Sequence, residues 1–267
     1  MGSISDYLEN KLLDHIFNHN TYTPPATVYL GLSLADPLDD GSGLNEPSDG
    51  NYSRKEITFG AAASRRVTQS GDVEFPVAST NWGEITHWAL FDAETGGNML
   101  AHGSLSVTKN VYIDNVPIVK SGEVYVEFSS GYISDYLANA LFDFVFRNQA
   151  YAAPSTYIVL TTVTISDDDT GSTITEPPGN GYSRVLVNPN GGSSPTWDAV
   201  SGDSVSNADN IDIGPATGSW GTIVAAALVD AASAGNLLFY DNEVSDQEVG
   251  YNDTWRFAAG NFKCSLR

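Results

Sequence analysis

Cysteine is almost missing from this chain. Cys264 is the single one in 267 residues, so no disulfide can form within the chain and stability has to come from burial. Cationic residues are scarce too: Lys and Arg total 12 against 33 Asp and Glu, a formal net charge of −21. A field of that sign repels phosphate backbones and anionic bilayers, which argues against nucleic-acid and membrane partners. The acidity itself has two readings, a solvated surface that keeps the protein dispersed or cation binding at acidic loops. No run of 18 apolar residues occurs, so no membrane-spanning helix is expected. Asp6, Glu9, Lys11 and Asp14 break up the first 15 residues, which excludes a secretory signal core there. The expectation is a soluble protein.

Apolar residues are present in quantity. They make up 41% of the chain, aromatics reach 11%, and charged residues only 17%, a composition that supports a packed core. Gly, Ser, Thr, Asn and Asp are frequent, as in short strands joined by many turns. The fold is expected to be mainly β.

One stretch organises the rest. Ile4-Ser5-Asp6-Tyr7-Leu8 returns letter for letter as Ile133-Ser134-Asp135-Tyr136-Leu137, 129 positions later. The chain therefore reads as a tandem duplication, residues 1–129 and 130–267, with the boundary at Ser129, Ser130 and Gly131. Each copy is expected to form a β-sandwich-like unit opening with one amphipathic helix. Ile4, Tyr7, Leu8, Leu12 and Ile16 fall on one helical stripe, matched by Ile133, Tyr136, Leu137, Leu141 and Phe144. Ser3 is a candidate N-cap with Asp6 three residues on, and Pro24, Pro25 and Pro154 end the helical pattern. Ile4, Tyr7 and Leu8 are expected to bury.

Strands are expected at 27–32 and 156–161, then after Tyr52-Ser53-Arg54 and Tyr182-Ser183-Arg184. Between them lie acidic loops, Asp39-Asp40-Gly41-Ser42-Gly43 leading to Glu46-Pro47, and Asp167-Asp168-Asp169-Thr170-Gly171 leading to Glu176-Pro177. Copy two then carries about eight extra residues through Asn190-Gly191-Gly192-Ser193-Ser194-Pro195, a surface-loop composition. The best-matched block is 82–93 against 220–231, apolar on both faces as a covered central strand should be. Gly96-Gly97-Asn98 and Ala234-Gly235-Asn236 make the following turn, Asp92 and Asp230 shape it, and a partner strand returns. A last strand closes each unit at 123–128 and 261–266. Trp82 and Trp220 read as core residues.

No catalytic constellation recurs in both copies. All four histidines, His15, His19, His87 and His102, belong to copy one. His15 and His19 have the i,i+4 spacing of a helical zinc pair but lack the adjoining Glu, since Ile16 holds that position. No Gly-x-Ser-x-Gly elbow and no Gly-Lys-Ser/Thr phosphate loop is present. Candidate oxygen ligands for calcium are Asp39, Asp40 and Glu46, or Asp167, Asp168, Asp169 and Glu176, although the EF-hand order is missing. Among aromatics able to stack on sugar rings, Tyr52, Tyr182, Trp88 and Trp197 stand out. Trp88 and Trp197 lack an aromatic counterpart in the aligned copy and so mark where ligand contact could have been added.

Taken together, Ile-Ser-Asp-Tyr-Leu, Asp-Asp-Gly-Ser-Gly with Glu-Pro, Tyr-Ser-Arg, the block Trp82 to Ala93 and Gly-Asn-x-Leu resemble a family of tail-fibre-like virion proteins of tailed bacteriophages. Copy one carries the resemblance throughout; copy two departs at Val224-Ala225-Ala226 and in its longer middle loop. The resemblance implies a β-rich, non-enzymatic module in the virion, assembled in the host cytoplasm and oligomeric among other capsid or tail proteins, without a cofactor. It leaves tail fibre, collar or baseplate adaptor, and capsid decoration or cement protein open. The chain has no heptads and no repetitive shaft, which favours a surface accessory over a receptor- or glycan-binding fibre tip.

Overall fold

The computed structural model describes residues 2–128 and 132–266, so the boundary expected at Ser129, Ser130 and Gly131 lies outside the described residues. Copy one begins with a short strand, β1 (Gly2–Ile4), and a helix, α1 (Asp6–Asn18). There follow β2 (Val28–Ser33), β3 (Lys55–Ile57), β4 (Arg66–Thr68), β5 (Val73–Glu74), β6 (Gly83–Phe91), β7 (Met99–Val111), β8 (Ile118–Val119) and β9 (Tyr125–Glu127). Seven of them form one curled sheet in the order β3-β2-β6-β7-β1-β9-β4, and β5 pairs with β8. Copy two opens with α2 (Asp135–Arg147) and continues with β10 (Thr156–Thr161), β11 (Val185–Val187), β12 (Ser204–Ser206) and β13 (Ile211–Ile213). It ends with β14 (Gly221–Ile223), β15 (Ala225–Val229), β16 (Leu237–Asp241), β17 (Gln247–Val249), β18 (Trp255–Phe257) and β19 (Lys263–Ser265). Its sheet runs β11-β10-β15-β16, with ribbons β12-β19, β13-β18 and β14-β17. The chain is thus mainly β with one helix opening each copy.

The first helix begins two residues later than a Ser3 cap would place it. Ser5 and Ser134 are the N-caps, each accepting from the backbone N–H three residues on, Leu8 and Leu137. Each serine is buried and also donates to a carbonyl of its own sheet, Met99 or Leu237. Ser3 is instead a strand residue paired with His102, and Ile4 is buried from that strand and not from the helix. Removing such a cap costs typically about 1 kcal/mol, more where the serine also anchors a sheet. Both helices end on a left-handed residue, His19 (φ 56°) and Asn148 (φ 52°).

β6 is covered on both faces, as its composition predicted. Trp88 and Leu90 enter the main core, while Ala89 and Phe91 join Met99, Tyr29 and Leu44 in a second cluster on the opposite face. β15 does the same, its Ala225, Ala227 and Val229 packing with Val159, Ile165 and Leu237.

The main core runs through both copies without interruption. The reason is an exchange of helices. α1 packs on β7 of its own copy and on β12 of the other; α2 packs on β16 of its own copy and on β4 of the other. His15 stacks on Phe144 with ring centroids 5.2 Å apart, and these two residues occupy the same place in the two helices. A residue meets its own counterpart only on a two-fold axis. The neighbouring contacts obey the same operation: Tyr22 packs on Phe144 at 6.0 Å and Tyr151 on His15 at 6.1 Å. Phe17 meets Trp197 at 4.7 Å, and Phe146 meets Phe59 at 5.2 Å. The duplicated chain is an internal pseudo-dimer.

Candidate functional site

The motifs that repeat most faithfully converge in space, once in each copy. Glu46 takes a bidentate pairing from Arg54, with Nη2–Oε2 at 2.7 Å and Nε–Oε1 at 3.0 Å, and accepts from the Tyr52 hydroxyl at 2.7 Å. Arg54 Nη1 goes on to donate to the carbonyls of Ala93 and Gly96 in the β6–β7 turn, at 3.3 and 2.7 Å. Its guanidinium carbon lies 3.2 Å from the centre of the Phe91 ring. Copy two repeats the arrangement: Arg184 pairs with Glu176 at 2.7 Å and donates to Ala231, Ala234 and Gly171 carbonyls. The Tyr52 and Tyr182 hydroxyls accept from the strand N–H groups of Leu32 and Leu160 at 2.9 Å each, and burial, then the neighbouring Glu, raises both phenols above their ordinary range. The same turn is shaped by Asp92, which accepts from the Asn98 N–H and side-chain amide at 2.7 Å each, as Asp230 does from Asn236. Gly97 and Gly235 sit at φ 71° and 82°, and an added Cβ would collide with that aspartate. Glu-Pro, Tyr-Ser-Arg, Asp-Ala and Gly-Asn are therefore parts of one clamp that ties the acidic loop to the central hairpin. Deleting one partner of so enclosed an ion pair leaves an uncompensated charge, at a cost of about 3 kcal/mol or more.

Next to the clamp the copies solve one problem differently. Asp49 accepts from the N–H groups of Asn51, Ser79 and Thr80, from the Ser79 hydroxyl and from the Trp82 indole at 2.7 Å. Those donors, the Asn51 N–H foremost, hold its carboxyl well below the usual carboxylate range. Trp220 donates instead to the backbone carbonyl of Asn180 at 2.9 Å.

The acidic residues put forward as cation ligands do not converge. Asp39 pairs with His102 Nε2 at 2.8 Å, Asp40 accepts from the Ser42 N–H, and Glu46 is spent on Arg54. Asp167 takes Arg65 Nη1 at 2.7 Å and the Tyr240 hydroxyl, while Asp168 and Asp169 accept from Ser166 and Thr173. Among the described residues no three His, Cys, Asp or Glu stand close enough to share a metal ion. His15 and His19 reach across to the other copy, Nε2 of each lying 3.1 Å from a carbonyl, Tyr151 and Pro154 respectively.

The two tryptophans proposed for ligand contact are corrected by the structure. Trp88 is 1% exposed and Trp197 is wholly enclosed, so neither ring face can receive a sugar. Trp88 fills the space above Gly2, where a Cβ would strike the indole. Trp197 also has an aromatic counterpart after all. It bridges to Asn207 as Phe59 bridges to Gln69, and both rings receive the helix of the other copy. The eight-residue insertion displaces the sequence alignment just there and hides the match. Cys264 is buried, and burial raises its thiol far above the ordinary value, which makes it a packing residue.

The family model for podophage GP4 fiber I protein gp80 matches the chain twice, over residues 3–127 and 132–265. The chain belongs to this family. No curated protein matches it. It is accordingly a fibre-type structural protein of a bacteriophage particle, built from two tandem copies of the gp80 module and associated with other virion components. The clamp residues Glu46, Tyr52 and Arg54, with Glu176, Tyr182 and Arg184, lie one set within each matched segment.

What joins the two gp80 modules escaped sequence reasoning. Asp143 accepts from the Ala62 N–H at 2.9 Å, Asn139 from the Arg65 N–H at 3.0 Å, and the Arg65 guanidinium spans Asp167 and Asp135 at 2.7 and 3.4 Å. Arg65 aligns with Asp203 in the second module, so nothing in the repeat pattern flags it.

Proposed function

We propose that this fibre-family protein is a non-enzymatic surface accessory of the phage particle, a capsid decoration or cement protein or an adaptor at the tail or collar. The observation that carries the reading is the exchange of helices about the pseudo-two-fold axis. The chain consumes internally the interface through which two separate modules would pair, and its most repeated polar residues lock hairpins in place. A rigid, closed block of that kind suits a subunit that docks on a lattice through other faces. The rival reading, a receptor- or glycan-contacting fibre tip, loses the two residues named for it, since Trp88 and Trp197 are core. Quantitative mass spectrometry of purified particles tests the proposal by counting copies per virion. High copy number matching the capsid lattice identifies decoration, a small symmetric number identifies a tail or collar adaptor, and absence from washed particles overturns both.

A further inference from the structure

The two halves also differ where the end of each helix meets the sheet of the other copy. Where the end of α2 meets the β2–β3 edge, a crevice of about 340 Å³ opens between the copies. Its floor is apolar and buried, made by Val28, Ile57, Phe59 and Phe146. Its rim is polar and exposed: Glu56, Thr58, Asn148 and Gln149 stand around it. At the symmetric place in the other half, two bonds draw the walls together. His19, the counterpart of Asn148, reaches the Pro154 carbonyl at 3.1 Å, and the inserted loop donates from Asn190 N–H to Asn18 at 3.2 Å. The rim there is less polar as well, with Leu186 in the place of Glu56.

We propose that this open crevice binds a neutral saccharide. Its volume falls in the range of small-molecule sites, roughly 300–1,000 Å³. Hydroxyl, carboxamide and carboxylate groups around an apolar floor match a ring that carries hydroxyls at its edge and C–H groups on its face. An anion is disfavoured, because Arg147 is already paired with Asp143 at 3.0 Å and Glu56 adds negative charge. A cation finds one carboxylate among the lining residues, too few for a cage. The site is independent of where the protein sits on the particle.

The other half supplies the variant that tests it. Asn148→His puts the residue of the bridged half at a backbone position, φ 52°, that His19 itself adopts at φ 56°. Gln149→Trp places a large ring at the exposed mouth. The whole chain is titrated with glucose, galactose, rhamnose and N-acetylglucosamine under saturation-transfer NMR, and both variants are checked by their melting temperatures. Transfer to at least one sugar, weakened on the order of tenfold or more in both variants, is the expected result. Transfer to none of the sugars, or undiminished transfer in either variant, overturns the site.

Discussion

Trp82 and Trp220 do the same work in the two halves, closing the core beside the clamp, yet one indole is held by a carboxylate and the other by a peptide carbonyl. Asp49 gathers five donors, one from its own loop and four from residues 79–82, whereas in copy two a backbone carbonyl, that of Asn180, meets both the indole and the Thr217 N–H. A similar exchange occurs on β7 and β16. Asp39 faces His102 in copy one; in copy two Asp167 faces Tyr240, whose phenol is pushed up to about 12 by burial and then by that carboxylate. Geometry has been kept while chemistry has drifted. Positions that changed type without changing place are architectural; a functional group would have been held by its chemistry. The asymmetries that remain, Arg65 against Asp203 and the open crevice against the bridged one, are where the halves differ in what they can do.

The largest effect is expected where the halves embrace. Trp197 is fully enclosed against Phe17 and Phe262 and donates to Thr156 Oγ1 at 2.8 Å. Trp197→Ala should lower stability by about 3–5 kcal/mol, and Trp197→Phe, which installs the ring of the other half, should recover most of it. Chemical denaturation followed by circular dichroism reads both. If Trp197→Ala is neutral while the protein still folds, the core does not run through the pseudo-dyad as described.

How far the sequence could be followed depends on what each signal encodes. The period of Leu8, Leu12 and Ile16 reports that a face is buried, and it is. It cannot report that the cover comes partly from the other copy, because a stripe carries no address for its partner. Turn chemistry was readable at Asp92 and Gly97, since backbone conformation and a local acceptor suffice. The clamp was visible as recurring letters but not as a contact, because Glu46 and the Ala93 carbonyl meet through Arg54 only in three dimensions. Trp197 loses sight of its counterpart Phe59 in a linear alignment because the insertion upstream shifts the register. Tyr7, expected to bury, is only half-buried and its counterpart Tyr136 is exposed, because the helices start at Asp6 and Asp135 and the first residue of each pentapeptide lies outside them.

A second way to separate the halves is acid. Asp49 titrates well below its unfolded value, near 3.9, so the stability it contributes is complete above that value and is lost as pH falls through the folded one. The Asn180 carbonyl does not titrate. Hydrogen exchange compared at about pH 6 and pH 3, corrected for intrinsic rates, should therefore show the loop at 76–82 losing part of its protection while 214–220 keeps it. Equal loss in both loops would show that Asp49 is not the difference. Asp49→Asn should remove the contrast by making copy one labile at both pH values.

The smallest effect is expected at the tyrosine of the repeated pentapeptide. Tyr136 is 41% exposed, and its counterpart Tyr7 is half-buried with Lys11 5.8 Å from the ring centre. The first helical turn points this side chain outward, since Leu137 and Ser134 already take the inward positions. Tyr136→Ala should change stability by no more than about 1 kcal/mol, within the range of surface substitutions. Ser134→Ala, two residues earlier, strips both a helix cap and the bond to the Leu237 carbonyl, and should cost more than Tyr136→Ala despite its smaller size. Thermal melts of the two variants side by side decide it. If the tyrosine proves the costlier of the two, the pentapeptide acts through its ring and not through its cap, and the reason it is kept in both halves is the opposite of the one given by the structure.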